Sequence, residues 1–447
     1  MQIVCNYPYS SKLRARFFTL LLCTFFLCTS CQPKVVPLLP DGTERPVEPT
    51  ETLVRIHVID QNNLAETITN QEKLNDFAKR DYLDSQPYKK VFRVFDKGQN
   101  GLSKSIVTSY YENGQIQQYL ECVNGRACGL YREWYSSGEK KSNSHVIAGQ
   151  ADLGEKTPLS WSFDGISEAW DEEGHLLARM CYEKGQLHGS SETFYPSGAK
   201  ERISYYEKGE PEGKDTLFNE DGSVLEEVSY LHGKREGESL GFHKGGQIAW
   251  TEHYSANKLI SGAYSLPDGT QVSAVNQGVG LRSLFDEGIL SSQQEIQEGF
   301  PQGKVSLFEK DGSVEREYFI KDGKKEGRET RFFPGKEKKP RLQIEWKDGT
   351  IHGTVKTWYK TGAIESQKEM RGNTKHGLFM AWYPDGSIML VEEYENNSLR
   401  SGRYHKRRDD SPTSQVNNGE GTATLFDENG SITEKIQYHE GKPVAER

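Results

Sequence analysis

Cysteine is the first side chain in this sequence whose spacing could support covalent chemistry. Beyond the N-terminal segment the sequence contains Cys122, Cys128 and Cys181. Cys122 and Cys128 flank a turn signal, Asn124-Gly125, and a thiol pair in an exported protein can oxidise to a disulfide. A two-residue turn would pair Cys122 with Ala127 instead, so the cross-link requires a longer loop. The sequence therefore leaves two alternatives for Cys122 and Cys128, a disulfide or two free thiols. Three scattered cysteines do not predict a zinc site.

A histidine directly precedes a glycine in four connections, at His188, His232, His352 and His376. Acidic and amide residues such as Glu212 and Gln302 fill the same position elsewhere, so we interpret these histidines as polar turn residues and predict no metal site. The sequence lacks a nucleophile elbow, a His-Glu-x-x-His helix, a phosphate-binding loop and a dinucleotide-binding glycine pattern. We therefore predict a protein that is not an enzyme and needs no cofactor.

Aromatic residues stand four positions before a glycine at regular intervals along most of the chain. They are Tyr110, Trp134, Trp170, Phe194, Phe218, Phe242, Phe308, Trp358, Trp382 and Phe426. A second marker, Gly-x3-Gly, alternates with them, as in Gly209/Gly213 and Gly323/Gly327. Even spacing of this kind indicates an internal repeat. The aromatic positions have either a structural role or an interaction role.

Dipeptides such as Asp221-Gly222 and Asp385-Gly386 follow the aromatic positions. These dipeptides are favoured in tight hairpin turns because glycine, asparagine and aspartate tolerate positive φ. Between the turns, charged and apolar residues alternate as they do in β-strands. Each repeat is therefore predicted to be one β-hairpin.

Segments such as Trp134-Tyr135-Ser136-Ser137-Gly138 and Trp382-Tyr383-Pro384-Asp385-Gly386 resemble the MORN repeat, specifically the bacterial, antitoxin-like MORN-variant repeat. The resemblance implies an all-β fold: an elongated, twisted antiparallel sheet of about twelve stacked hairpins, preceded by a small α+β cap. Three stretches depart from the repeat: 139–166, 251–284 and a polar loop at 403–419.

The N-terminus has the features of an export signal. Lys12, Arg14 and Arg16 precede an apolar run, 17–27, that is shorter than the about 20 residues needed to span a bilayer. The following segment, Leu27-Cys28-Thr29-Ser30-Cys31, resembles the lipobox of bacterial lipoproteins, although its leucine lies one residue too early. The resemblance implies lipidation at Cys31 and, because Gln32 follows, an outer-membrane rather than inner-membrane location.

Four regions follow from these patterns. Residues 1–30 are the predicted signal peptide, and residues 31–52 are the lipidated cysteine with a proline-rich tether. Residues 53–98 form a small cap, with strand patterns at 53–59 and 88–95 and a helix at 70–79 capped by Asn70. Residues 99–447 form the MORN-type repeat array.

Charge narrows the choice of partner. The net charge is −9 with both signs mixed along the chain, which argues against nucleic acid. The leading hypothesis is a lipid-anchored, non-enzymatic scaffold in the bacterial envelope that binds a protein or an envelope component. The alternatives are a cytoplasmic antitoxin-like repeat protein, a lipid-binding module using the basic run 336–341, or an enzyme-associated module.

Overall fold

The computed structural model describes residue 46 and residues 49–444. Nearly all regular structure in these residues is antiparallel β-sheet, which confirms the predicted all-β class. The described residues divide into two compact units, one before and one after the boundary between residues 235 and 236. None of the described helices is long and apolar enough to cross a membrane. The predicted signal peptide (1–30), Cys31 and most of the predicted tether (31–52) lie outside the described residues.

The first unit begins with a strand, a short helix and another long strand, close to the predicted cap. The elements are β1 (Leu53–Asp60), β2 (Ala65–Ile68), α1 (Gln71–Phe77) and β3 (Tyr88–Lys97), with β1 paired to both β2 and β3. Asn70 caps α1, because its side-chain oxygen accepts a hydrogen bond from the Lys73 amide at 3.1 Å. Leu74 on this helix is buried against Ile56 and Val91. This apolar core continues into the first hairpin, which contributes Ile106 and Tyr119.

Hairpins fill the rest of the first unit, and neighbouring strands pair antiparallel. The strands are β4 (Ser103–Tyr110), β5 (Ile116–Val123), β6 (Arg126–Trp134), β7 (Lys140–Ala148), β8 (Ser162–Phe163), β9 (Gly165–Trp170), β10 (Leu176–Glu183), β11 (Gln186–Phe194), β12 (Lys200–Glu207), β13 (Glu210–Pro211), β14 (Gly213–Phe218), β15 (Val224–Leu231) and β16 (Lys234–Arg235). The short strands β8 and β13 pair only with the strand before them, so that β9 pairs with β7 and β14 with β12. The predicted departure at 139–166 contains a 3-10 helix, Thr157–Ser160. Its next residue, Trp161, packs edge-on against Tyr131 at 4.7 Å, so the extra residues extend the core.

The second unit continues the same pattern of sequential antiparallel pairs. Its strands are β17 (Gly237–Phe242), β18 (Ile248–Ser255), β19 (Lys258–Ser265), β20 (Gln271–Asn276), β21 (Val279–Asp286), β22 (Ile289–Gln297), β23 (Phe300–Phe308), β24 (Val314–Lys321), β25 (Lys324–Lys325), β26 (Gly327–Phe332), β27 (Pro340–Lys347), β28 (Thr350–Trp358), β29 (Ile364–Arg371), β30 (Thr374–Trp382), β31 (Ile388–Glu395), β32 (Ser398–His405), β33 (Pro412–Asn417), β34 (Glu420–Phe426), β35 (Ile432–His439) and β36 (Lys442–Pro443). The predicted polar loop 403–419 is thus partly wrong, because β33 lies within it and pairs with β32.

Two kinds of turn alternate along both units, and the Asp-Gly loops are not the tight two-residue turns that the sequence predicted. In the loop that contains Asp221-Gly222, only Gly222 has positive φ (83°), and the Asp221 carboxylate accepts the Ser223 amide at 2.9 Å. The two-residue turns with positive φ at both positions lie at the first glycine of Gly-x3-Gly instead. Lys208 (50°) and Gly209 (85°) form one such turn. These are the turns whose twist suits a tight hairpin.

Candidate functional site

The predicted repeat aromatics occupy one structural position. Each is the last residue of a strand that leads into a glycine-containing loop, and a register shift immediately precedes it in the pairing with the next strand. Tyr110 and Phe426 are buried, whereas the other eight are half-buried: Trp134, Trp170, Phe194, Phe218, Phe242, Phe308, Trp358 and Trp382. Half-burial at a strand end is compatible with both packing and contact with a partner.

A tyrosine directly after several of these aromatics links successive hairpins. Its hydroxyl donates to the carbonyl oxygen at the corresponding strand end of the next hairpin. The pairs are Tyr111 to Trp134, Tyr195 to Phe218 and Tyr359 to Trp382 at 2.8 Å, and Tyr135 to Trp170 at 2.9 Å. Burial, and then the negative charge of Glu365, raise the pKa of Tyr359 to about 12, so this phenol stays a donor. The dipeptides of a repeat aromatic followed by tyrosine were the sequence signal, but their spacing alone did not reveal these bonds.

Residues at the centre of the sheets are buried although several are charged. In the first unit, Asp215 accepts hydrogen bonds from Arg202 Nε and Ser204 Oγ, both at 2.8 Å. In the second unit, Glu329 is fully buried and accepts from Lys325 Nζ at 2.6 Å and Arg331 Nε at 2.9 Å. Buried charges are tolerated when they are paired in this way. We use the name central row for the buried positions at the middle of the strands, which include Asp215 and Glu329.

A further carboxylate of the central row, Glu252, is also fully buried. Its two oxygens accept hydrogen bonds from Tyr254 at 2.7 Å and Tyr264 at 2.8 Å, and the Arg282 guanidinium pairs with both oxygens. Burial opposes ionisation of Glu252, but the charge and hydrogen bonds of Arg282 outweigh it and lower the pKa of Glu252. Residues 236–300, which contain this cluster, are called the arginine module.

A second cluster repeats this geometry without the arginine. Glu392 is buried and accepts hydrogen bonds from Tyr404 at 2.7 Å and Tyr394 at 3.1 Å. No described residue forms an ion pair with it. A cavity of about 670 Å³ adjoins this carboxylate, with Phe379, Ala423 and Tyr438 also in its lining. Residues 376–441, which contain this cluster, are called the alanine module after Ala423.

A further group of potential metal ligands lies in one exposed loop after Trp170. Asp171, Glu173 and His175 place one ligand atom each within 4.8 Å of one another. His175 Nδ1 is 3.0 Å from the Asp171 carboxylate, and the Asp171 side chain also accepts the His175 amide at 2.7 Å. These two hydrogen bonds stabilise a local turn, and the turn explains why the three side chains lie close together.

The structure does not bring Cys122 and Cys128 together. A two-residue turn at Asn124 and Gly125 (φ 49° and 72°) pairs Cys122 with Ala127, and the sulfurs of Cys122 and Cys128 are not bonded. Burial raises the pKa of the Cys122 thiol to about 12. Cys31 is outside the described residues.

Comparison with known families adds one finding. The family described as MORN repeat variant matches residues 106–121 and 419–440. MORN-variant repeats therefore occur at two places in this chain. The first match covers most of the β4–β5 hairpin, and the second covers the β34–β35 hairpin, so each unit contains one. No curated protein matches the chain significantly.

Among solved structures, the chain is similar to one described as TcdB2-TccC3-Cdc42, with 12% identity over 86% of this chain and a TM-score of 0.13. It is also similar to TcdB2-TccC3 without its hypervariable C-terminal region, with 10% identity over 87% of this chain and a TM-score of 0.11. The chain spans 26% of the length of each of these solved chains.

Proposed function

We propose that this chain is a membrane-anchored, non-enzymatic repeat scaffold that binds another protein or an envelope component. MORN-variant repeats in both units support the scaffold part. The tyrosine bonds between successive hairpins fix their spacing within each unit, and a surface held rigid in this way loses little entropy on binding. The anchor at Cys31 is supported by the N-terminal sequence pattern.

A surface groove in the second unit is the observation that carries the binding part. The groove has a volume of about 550 Å³ and is lined by Phe319, Arg328, Trp346 and His352. Phe319 is 45% exposed, although it is a large apolar side chain. The indole N–H of Trp346 is buried without a hydrogen-bond acceptor among the described residues. Aromatic and arginine side chains are the usual anchors of protein interfaces.

Affinity capture from a detergent extract tests the binding function. Wild-type protein is expected to recover a specific partner, and Phe319→Ala is expected to lose it. Tyr205→Ala is the matched control, because Tyr205 is 48% exposed at the corresponding position of β12 in the first unit. A wild-type chain that recovers no specific partner, or a Phe319→Ala variant that recovers it fully, contradicts this assignment.

Fractionation and intact mass test the anchor. The wild type is expected in the membrane fraction, starting at Cys31 and carrying added acyl mass, and Cys31→Ala is expected to leave that fraction. If both proteins remain full-length in the cytosol, the anchor is wrong and the antitoxin-like alternative becomes the better hypothesis.

A further inference from the structure

The arginine module and the alanine module share one framework. Glu252 pairs in register with Gly262, and Glu392 pairs in the same way with Gly402. Both glycines are necessary, because a Cβ atom would lie 2.5 Å from the Tyr264 hydroxyl at Gly262 and 2.6 Å from the Tyr404 hydroxyl at Gly402. The two modules therefore build the same cradle of one carboxylate and two phenols.

Backbone hydrogen bonds between turns are also the same in the two modules. In each module these bonds link three turns in a ring. The bonds are Leu259 to Gly299, Gly299 to Gly278 and Gly278 to Ile260 in one module, and Leu399 to Gly441, Gly441 to Gly419 and Gly419 to Arg400 in the other, all between 2.8 and 3.0 Å.

The modules differ at the position that supplies the cation. Arg282 lies two residues after Gly280, which pairs with Ile296, and Arg282 itself pairs with Gln294. Ala423 lies two residues after Gly421, which pairs with Tyr438, and Ala423 itself pairs with Ile436. The register thus places Ala423 where the arginine module has Arg282. The side chain that would neutralise Glu392 is missing from this position.

The cavity of the alanine module lies beside this position and is suited to a cation. Both Ala423 and Glu392 line it, and three other carboxylates do so too: Glu365, Asp427 and Glu428. One ammonium group, Lys375, is present, but its Nζ donates to the Tyr394 hydroxyl at 3.3 Å and lies 4.5 Å from the centre of that ring. Negative charge therefore exceeds positive charge in the lining.

Aromatic rings complete the walls of the cavity. Phe379 pairs in register with Glu392, and Trp382, Phe426 and Tyr438 are also in the lining. Aromatic faces attract cations through their quadrupole, and they favour a planar guanidinium over a compact ammonium because it can also stack. The fork of a guanidinium matches the two oxygens of a carboxylate, as Arg282 shows at Glu252.

We propose that the Glu392 cavity binds the guanidinium group of an arginine side chain presented by a partner protein. The inference names the chemistry of the partner and in that respect rests on the proposed scaffold function. The bound arginine would occupy the space that Arg282 fills in the arginine module, between Glu392 and the aromatic walls.

Calorimetric titration of the full chain with a capped arginine, N-acetyl-arginine methylamide, at low salt tests the site. Capped lysine and capped norleucine serve as comparison probes. The arginine probe is expected to bind saturably at one site, capped lysine more weakly, and norleucine not at all. Glu392→Gln is expected to weaken arginine binding about tenfold or more, because it removes a charge-assisted hydrogen bond.

Glu393→Gln is the matched control, since Glu393 is the next residue on β31 and points to the opposite face, where it is exposed. It removes the same charge and is expected to leave binding unchanged. Ala423→Arg is expected to abolish binding by filling the site from within. If that variant does not fold, Ala423→Met fills the same space without charge and is expected to weaken binding.

Several results would overturn the proposal: no binding of capped arginine at millimolar concentration, equal binding of capped lysine, or equal loss in Glu392→Gln and Glu393→Gln. The scaffold function fails separately. If capped arginine binds as expected but affinity capture finds no partner, the site stands and the scaffold function does not.

Discussion

The arginine module and the alanine module each place an equivalent buried carboxylate between two phenols. They differ in whether an arginine of the same chain neutralises that carboxylate. Glu252 has a guanidinium from its own chain, 30 residues away in sequence, as well as two phenols. Glu392 has two phenols and an adjoining cavity. The same framework therefore surrounds a filled core at Glu252 and a cavity at Glu392. The residue at one equivalent position, Arg282 or Ala423, distinguishes the two.

The largest effect is expected from Arg282→Ala, which makes the arginine module resemble the alanine module. Removing one partner of a buried pair leaves an uncompensated charge, so the second unit should lose about 3–5 kcal/mol of unfolding free energy. Urea unfolding of the full chain measures this loss. Millimolar guanidinium chloride, but not sodium chloride, should restore part of it. An unchanged transition would show that Glu252 does not depend on Arg282.

Lowering the pH should reduce the stability that the Glu252–Arg282 pair contributes. The pKa of Glu252 is lowered in the folded protein from its ordinary value of 4.5, so its contribution to stability is complete above that value. As the pH falls through the lowered value, the folded state must also take up the proton and the contribution is lost. The stability difference between wild type and Glu252→Gln should therefore shrink below pH 4.5. Urea unfolding at a series of pH values tests this, and a difference that grows with acid would contradict it.

A smaller effect is expected where the modules use different hydrogen-bond donors in the same loop. His243 contacts the Ser265 carbonyl at 2.7 Å in the arginine module, and Tyr383 donates to the His405 carbonyl at 2.8 Å in the alanine module. Tyr383→Phe should cost about 1–2 kcal/mol, since it leaves a half-buried carbonyl without its donor. Tyr205→Phe, whose exposed hydroxyl makes no bond to a described residue, should have no effect in the same unfolding measurement.

The smallest effect concerns a turn. Ala256 in the arginine module and Asn396 in the alanine module both have positive φ, at 48° and 49°. Asparagine tolerates this conformation better than alanine, so Ala256→Asn should stabilise the second unit by about 1 kcal/mol or less. Thermal unfolding that shifts downward would show that another contact of this turn dominates.

Local patterns predicted the local structure well. Asn70 caps its helix because an asparagine followed by an apolar face is a signal contained within a few residues. Each repeat aromatic ends a strand because the glycine four residues later fixes where the chain must turn. Such signals need no knowledge of distant residues.

The candidate site could not be predicted in this way. Glu252 and Arg282 are an ordinary acid and an ordinary base until the register of four strands is known, and their pairing depends on that register. The Asp-Gly loops were wrongly predicted to be two-residue turns because Asp-Gly suits both kinds of turn, and only the hydrogen bonds distinguish them. The pairing of Cys122 with Ala127, in contrast, was predicted from turn length alone, because it depends only on the residues between the two strands.

The charged central row also bears on how the hairpins find their neighbours. Near-identical hairpins in one chain can dock on the wrong copy during folding. Asp215 on β14 accepts hydrogen bonds from Arg202 and Ser204 on β12. Glu252 on β18 pairs with Arg282 on β21, 30 residues further along the chain. A hairpin that docked out of order would bury one of these charges against an apolar neighbour at a cost of several kcal/mol. These pairs therefore favour the native order of the hairpins that carry them over docking on the wrong copy.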